Sequence, residues 1–357
     1  MNLQEIVNYR LINQQISKST SKTPKEVVSS LGAVQAQDYN GSLWAIGLRL
    51  KNATQADVEK EIAKRAIIRT WPMRGTIHFV SQEDVRLILS LYKKQGIMGY
   101  HRIIGIDEDV LEQGRKALIK AFSRKKPIQR RELHAALKKS GIPALRSNMA
   151  RSHIMRRVAR DGLMCFGPHE GKQATFVLLD DWVASKKQPT REEAIHMLAS
   201  RYFASHGPAT VKDFAWWSGL GISEARNGTA EVAHQLRKET FGNETYFMPK
   251  KIHKLQVDNQ AAHLLPAFDE YLIAYKNRSA VLDPKYTHKV IAGSTLLFLP
   301  VILFDGRVIG TWKRRKSGKN AEIVLKPFTK LDNMQRESIS IAAERYGKFI
   351  DSPIILK

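Results

Sequence analysis

The sequence predicts an α+β protein: helical segments each closed by a strand pair, then a β-rich C-terminal domain. Three observations carry this. The same succession of helices and a short strand pair recurs three times before about residue 260. Beyond it the texture turns to strands, and Leu296–Phe304 and Arg307–Arg314 flank Asp305-Gly306, a strong two-residue hairpin signal. Finally, 43% hydrophobic and 26% charged residues over 357 positions suit several packed domains and exclude wholesale disorder.

The first pass opens with a helix around Leu3–Gln15. A second helix starts at Thr23, where Thr23-Pro24-Lys25-Glu26 reads as a capping box with proline at the first helical position. A third covers Gln55–Arg65. Ile67–Trp71 and Thr76–Val80 read as strands joined by Pro72-Met73-Arg74-Gly75, and Ser81 caps a helix with Val85, Ile88, Leu89 and Tyr92 on one face.

The second pass has helices at Val110–Phe122, Arg130–Lys139 and Ser147–Asp161, then strands Leu163–Phe166 and Ala174–Leu179 joined by Gly167 to Lys172. The third opens on a second capping box, Thr190-Arg191-Glu192-Glu193. Its helices are Glu192–Ser205, Val211–Gly219 and Ser223–Arg237, and its strand pair, Lys238–Phe247, turns at Gly242-Asn243. After these, Ala321–Lys326 is a further strand and Asn333–Phe349 a closing helix.

Helices followed by a hairpin form the winged-helix arrangement, a helix-turn-helix variant. The expected organisation is therefore tandem winged-helix domains and a β-rich end: 1–106, 107–188, 189–260 and 261–357.

Charge points to the partner. The net charge is +24, and by segment it is +6 over 1–120, +10 over 121–190, +1 over 191–260 and +7 over 261–357. Such uneven basic surfaces favour a polyanion, because lysine and arginine displace counterions condensed on phosphates. Other classes fall away. The one cysteine, Cys165, excludes an internal disulfide framework and a multi-cysteine zinc site. The N-terminus lacks a signal-peptide core, and the most apolar run, Leu296–Phe304, is far shorter than the roughly 20 residues a span needs. No P-loop, no GxGxxG after a strand, no HExxH and no GxSxG occurs, and the histidines lack ligand spacing. The expectation is a cytoplasmic, nucleoid-associated monomer that binds double-stranded DNA, without membrane, metal or cofactor.

Several residues suit DNA chemistry. On the Ser147–Asp161 helix, about 100° per residue puts Arg157 and Arg160 on the side of Arg156, with Ile154 and Val158 behind. That is a guanidinium face for phosphates. Lys313, Arg314, Arg315 and Lys316 form a basic hairpin turn with Gly318-Lys319. Arg69 to His78 interleaves Arg, Trp and His on a wing, and its Trp71, Ile77 and His78 read equally as core. In Gln35-Ala36-Gln37, residues two apart in an extended stretch point the same way, so two amides can converge on a water or a base edge; taken alone, glutamines at a helix end read as solvated. Asp38 is the nearest carboxylate.

Five stretches together resemble one family. Gln35-Ala36-Gln37, RTWPMRGTIHFV at 69–80, GPATVKDFAWWSG at 207–219, LLPAFDEYLIAY at 264–275 and DGRVIGTW at 305–312 are similar, in this order, to the AlkZ-like bacterial DNA glycosylases. The resemblance implies tandem winged helices with a β-rich C-terminal domain, excision of alkylated bases and unhooking of interstrand crosslinks. It implies that Gln35 and Gln37 are the catalytic pair. One branch carries Asp at the second position, and Gln37 resembles the two-glutamine branch. From their place on the neighbouring wing, Arg74, Thr76 and His78 are expected to contact the lesion strand; Asp269, in a family-like motif, assists electrostatically or makes a structural salt bridge, and Asp38, the nearest carboxylate, is a possible helper.

The implied chemistry is physically coherent. A purine alkylated at N7 is cationic and leaves without being protonated. The enzyme has to place a water near C1′ and stabilise charge on the sugar, and neutral amides orient water by both donating and accepting. Glycosidases use two carboxylates for comparable work. Because a crosslinked base cannot be fully flipped, an open site is expected. The reading is a monofunctional DNA glycosylase for cationic N7-alkylpurines. The alternative is a non-enzymatic winged-helix DNA-binding protein or transcriptional regulator, which would dimerise on a palindromic site.

Overall fold

The computed structural model describes residues 1–93, 105–124, 126–171, 173–184, 189–250, 260–293, 297–318 and 320–357. Lys172, Leu296 and Lys319, each within an expected turn or strand, lie outside the described residues. The chain is α+β, and its contacts divide it into two units, 1–61 with 195–357, and 62–194.

The discontinuous unit is built on a five-stranded sheet. Its order is Ile354–Leu356, Asn320–Pro327, Arg307–Ser317, Val301–Phe304, Ala262–Leu265. The Asn320–Pro327 and Ile354–Leu356 pairing is parallel and the others antiparallel. Asp305 and Gly306, both at positive φ, make the expected two-residue turn. The helix Asn333–Phe349 starts at the Asp332 cap, whose box partner is Gln335, and buries Ile339, Ala343, Tyr346 and Phe349. It covers the edge strand, where the Ala262 N–H donates to Ser338 Oγ at 2.7 Å. Two indoles bond that strand as well: Trp44 Nε1 donates to the Leu264 carbonyl at 2.7 Å and Trp312 Nε1 to that of Leu265 at 2.8 Å.

In the same unit, helices Val211–Ser218 and Ile222–Val232 precede a hairpin of Leu236–Phe241 and Glu244–Pro249 that turns at Gly242-Asn243. The Thr190 box upstream is reciprocal: Glu193 N–H donates to Thr190 Oγ1, and Thr190 N–H to Glu193 Oε2.

The 62–194 unit holds helices Glu108–Ala121, Arg130–Lys139 and Asn148–Arg160. A three-stranded sheet follows, ordered Ile128–Gln129, Gln173–Leu178, Met164–Glu170. The hairpin Ile67–Met73 with Thr76–Ser81 sends Trp71 against Phe166 and Phe176, with centroids 4.6 and 6.1 Å away. Trp71 and Ile77 are thus core residues.

Some expectations need correction. A helix at Tyr39–Gly47 went unforeseen, since its WAIG run lacks polar alternation and Ser42 to Gly47 are all buried. The first wing strand runs through Met73, so the turn is Arg74-Gly75 alone, both at positive φ. Ser81 does not cap the Val85–Tyr92 helix; Asp84 is at that position, and Ser81 Oγ donates to the Asp84 carboxylate at 2.5 Å. The helix expected to reach Arg237 stops at Val232, and Arg237 lies in a strand. Leu296–Phe304 is not one strand. Leu297–Phe298 and Val301–Phe304 are separate, because Pro300 between them has no N–H to give a ladder.

Candidate active site

The Gln35-Ala36-Gln37 stretch is an extended link clamped between two helices. The helix Pro24–Leu31 begins at Thr23, whose side chain accepts from Glu26 N–H. It ends at Gly32, at φ +79°, where a side chain would be strained. A Cβ there would also come within 3.3 Å of the Trp217 ring. At the far end Asp38 caps the Tyr39–Gly47 helix, and its Oδ1 accepts the Gly41 N–H at 3.2 Å. Asp38 therefore has a cap role in addition to being the nearest exposed carboxylate.

Burial distinguishes the two glutamines. Gln35 is 9% exposed and Ala36 fully buried, whereas Gln37 is exposed. Gln35 lies in the strand Val34–Gln35, and its N–H donates to Glu270 Oε1 at 2.9 Å. Glu270 is itself 0% exposed. Its Oε2 accepts the Trp217 indole N–H at 2.9 Å and lies 3.8 Å from His206 Nε2, beyond a direct hydrogen bond. One buried carboxylate thus ties the glutamine strand to the indole of the Val211–Ser218 helix. Burial lowers the His206 pKa against the opposing pull of Glu270, so the imidazole is neutral near pH 7.

The residue before Glu270 is anchored just as firmly. Asp269 and Arg49 are both fully buried and form a bidentate pair at 2.8 Å and 2.8 Å. All five N–H groups of Arg49 are used, with the others going to Ala45 O, Gln14 O and Gln14 Oε1. Asp269 also accepts the Tyr271 N–H at 2.9 Å as cap of the short helix Glu270–Ile273. Its salt-bridge reading describes its contacts. Phe268, at φ +58°, enters this corner in a conformation that costs a non-glycine residue about 1–2 kcal/mol. Glu270, Trp217 and Arg49 were not among the expected site residues. Their signal was present in the sequence: two adjacent acids inside the apolar run LLPAFDEYLIAY need buried donors.

The remaining candidates lie in several places. Lys313, Arg314, Arg315 and Lys316 are not a turn. They belong to the strand Arg307–Ser317 and pair with Val324, Ile323, Glu322 and Ala321. Alternation sends Lys313 and Arg315 to one face of the ribbon and Arg314 and Lys316 to the other. Arg315 lies 3.8 Å from Glu322, which also takes Lys357 at 3.0 Å.

In the 62–194 unit Arg74 is at the wing turn, and its Nη2 is 3.3 Å from His78 Nε2. His78 Nδ1 is 3.1 Å from the Thr76 carbonyl, so these partners assign the neutral tautomer with the proton on Nδ1. His78 is fully buried and Thr76 half-buried. On the helix Asn148–Arg160 the expected open guanidinium face is absent. Arg157 is 8% exposed and bonded to Asp161 at 3.0 Å, and Arg160 is equally buried. Arg156 is half-buried, and repulsion from it adds to burial in lowering the Arg130 pKa.

A family described as DNA glycosylase AlkZ-like matches residues 28–349, a span containing the glutamine link, the Asp269-Glu270 corner and the long hairpin. The chain belongs to the AlkZ-like DNA glycosylase family. It is 23% identical over 362 residues to the interstrand DNA cross-link repair glycosylase of Streptomyces sahachiroi, covering 96% of this chain and 95% of that protein. The solved structure of the Streptomyces sahachiroi DNA glycosylase AlkZ superposes with a TM-score of 0.83 at 22% identity over the full length of both chains. AlkZ-like membership implies N-glycosylase hydrolase chemistry on DNA. Among the described residues no helix is long and apolar enough to cross a membrane.

Proposed function

We propose that this AlkZ-like protein is a monofunctional glycosylase that hydrolyses the N-glycosidic bond of cationic N7-alkylpurines in double-stranded DNA. The observation that carries the reading is the glutamine link. Its backbone is fixed at Gln35 by a buried carboxylate, and it presents the exposed amide of Gln37 to solvent. In this reading Gln35 and Gln37 hold the attacking water beside C1′, and the cationic base leaves unprotonated. The chemistry calls for no cofactor. Unalkylated purines are spared because they lack the activated leaving group.

The DNA contacts belong to the same proposal. The tandem winged-helix reading puts Arg74 and Thr76 on the lesion strand and Lys313 to Lys316 along phosphates; His78, buried with both ring nitrogens engaged, makes no DNA contact and supports Arg74 instead. Arg156 is the better phosphate ligand of its helix, since Arg157 already has Asp161. The Streptomyces relative is described as a cross-link repair glycosylase. Crosslinked purines are the matching extension here, acted on by the chain as a monomer.

The test is release of 7-methylguanine from an alkylated duplex, with unhooking of a crosslinked duplex in parallel. Wild-type protein releases the base, and Gln37→Ala loses most of the activity while keeping DNA affinity. Equal activity in that variant removes the glutamines from the mechanism.

A further inference from the structure

A cavity of about 550 Å³ opens within the 1–61/195–357 unit, and its walls include none of the residues placed at the glutamine link. One wall is cationic: Lys212, Lys276 and Arg278. Hydroxyls of Thr210, Ser279 and Thr287 line it too, and Leu282 and Ile291 give an apolar side.

The two acids on the wall are already committed. Asp213 accepts from Thr210 N–H, Thr210 Oγ1 and Lys276 N–H at 3.0, 3.0 and 2.8 Å. Glu244 neutralises Lys212 at 2.7 Å. Lys276 and Arg278 have no carboxylate within 4 Å among the described residues, and Asp213 acts on Arg278 only at longer range. Lys276 is exposed, while Arg278 is held rigidly. The Arg278 Nε donates to Leu272 O at 2.8 Å and Nη1 to Lys276 O at 3.3 Å. The rings of Trp216 and Phe298 lie 5.4 and 5.0 Å from the guanidinium carbon. Its Nη2 is buried and meets no acceptor among the described residues. Burial brings the Arg278 pKa down to about 10, so it remains a cation at neutral pH.

We propose that this cavity is a nucleotide-binding site: Arg278 and Lys276 take the phosphate, the hydroxyls the sugar, and the Leu282–Ile291 side the base. Two cations lining one cavity, neither with a carboxylate within 4 Å among the described residues, match a phosphate. The volume is within the usual range for small-molecule sites, which is about 300–1,000 Å³, and far exceeds an isolated phosphate. The inference is independent of the glycosylase reading.

Calorimetric titration of the full chain with deoxyguanosine 5′-monophosphate, and separately with deoxyguanosine, tests it. One saturable site is expected for the nucleotide, with the nucleoside binding at least about tenfold more weakly, as loss of roughly 1.4 kcal/mol implies. Lys276→Ala and Arg278→Gln each weaken nucleotide binding by a similar factor. Lys139→Ala, which removes one exposed charge from the other unit, leaves it unchanged. Arg278 also bonds two carbonyls, so the exposed Lys276 keeps the test decisive if Arg278→Gln fails to fold. Competition by a 5′-phosphorylated oligonucleotide identifies a strand end as the source, and lack of competition a free nucleotide; either supports the site. No nucleotide binding at millimolar concentration, or equal binding by Lys276→Ala and wild type, overturns it.

Discussion

The Glu270 carboxylate and the Gln35 backbone N–H are 235 positions apart in the chain and 2.9 Å apart in space. The same carboxylate holds the Trp217 indole at 2.9 Å. Glu270→Ala leaves two buried donors without an acceptor, at about 1–3 kcal/mol each. The expected result is a stability loss of roughly 2–5 kcal/mol by denaturant titration and slower excision under single-turnover conditions. A variant with wild-type midpoint and rate would show that the carboxylate does not fix the glutamine strand.

Arg49 and Asp269 should behave as a unit. Removing either alone, as in Arg49→Met or Asp269→Leu, strands a buried charge and costs about 3–5 kcal/mol. The double variant costs less than the sum of the two. A thermodynamic cycle on the three proteins measures the coupling, and strict additivity would contradict the pairing at 2.8 Å.

Neighbouring arginines on one helix should separate by phenotype. Arg157→Ala breaks the partly buried contact with Asp161 and lowers the melting temperature. Arg156→Ala is expected to leave stability nearly unchanged and to reduce the slope of log affinity against log salt for duplex DNA by about 1. Equal salt slopes for Arg156→Ala and wild type would remove Arg156 from the phosphate contacts.

Acid should destabilise the protein through His206. Burial holds its folded pKa below the ordinary 6.5, so under acid the unfolded chain binds the proton first. Stability is fully present above about pH 6.5, falls as pH drops below it, and levels off once the folded value is passed. His134, lowered by burial and by Arg151, adds a second share. Comparing melting temperatures at pH 7.5 and 5.5, His206→Gln should show a smaller acid loss than wild type. An unchanged loss would assign the effect elsewhere.

Much of this was legible in the residues. The capping box at Thr190, the Asp305-Gly306 turn and the Asn333–Phe349 helix depend on local chemistry, which the chain states directly; at Thr23 only half of the expected box forms, because the Glu26 carboxylate takes the Lys22 N–H and not that of Thr23. Local rules failed where long-range packing decides. Tyr39–Gly47 is a helix whose residues from Ser42 to Gly47 are all buried, and no periodic face announces it. The guanidinium stripe was sound as geometry, yet Asp161 one turn on from Arg157 turned part of it inward. Gln35 and Gln37 stand out by motif, but the carboxylate that holds the Gln35 backbone lies far along the sequence and only the fold brings it near.

The division of the chain has a consequence for how the protein is made. Residues 62–194 are contiguous and can fold as they leave the ribosome, whereas the unit bearing the glutamines needs both ends of the polypeptide. At about 5–20 residues per second, translation delivers Glu270 on the order of ten to fifty seconds after Gln35. Until then the glutamine link has no anchor, so no nascent or truncated product ending before residue 270 has the Gln35 backbone held by Glu270.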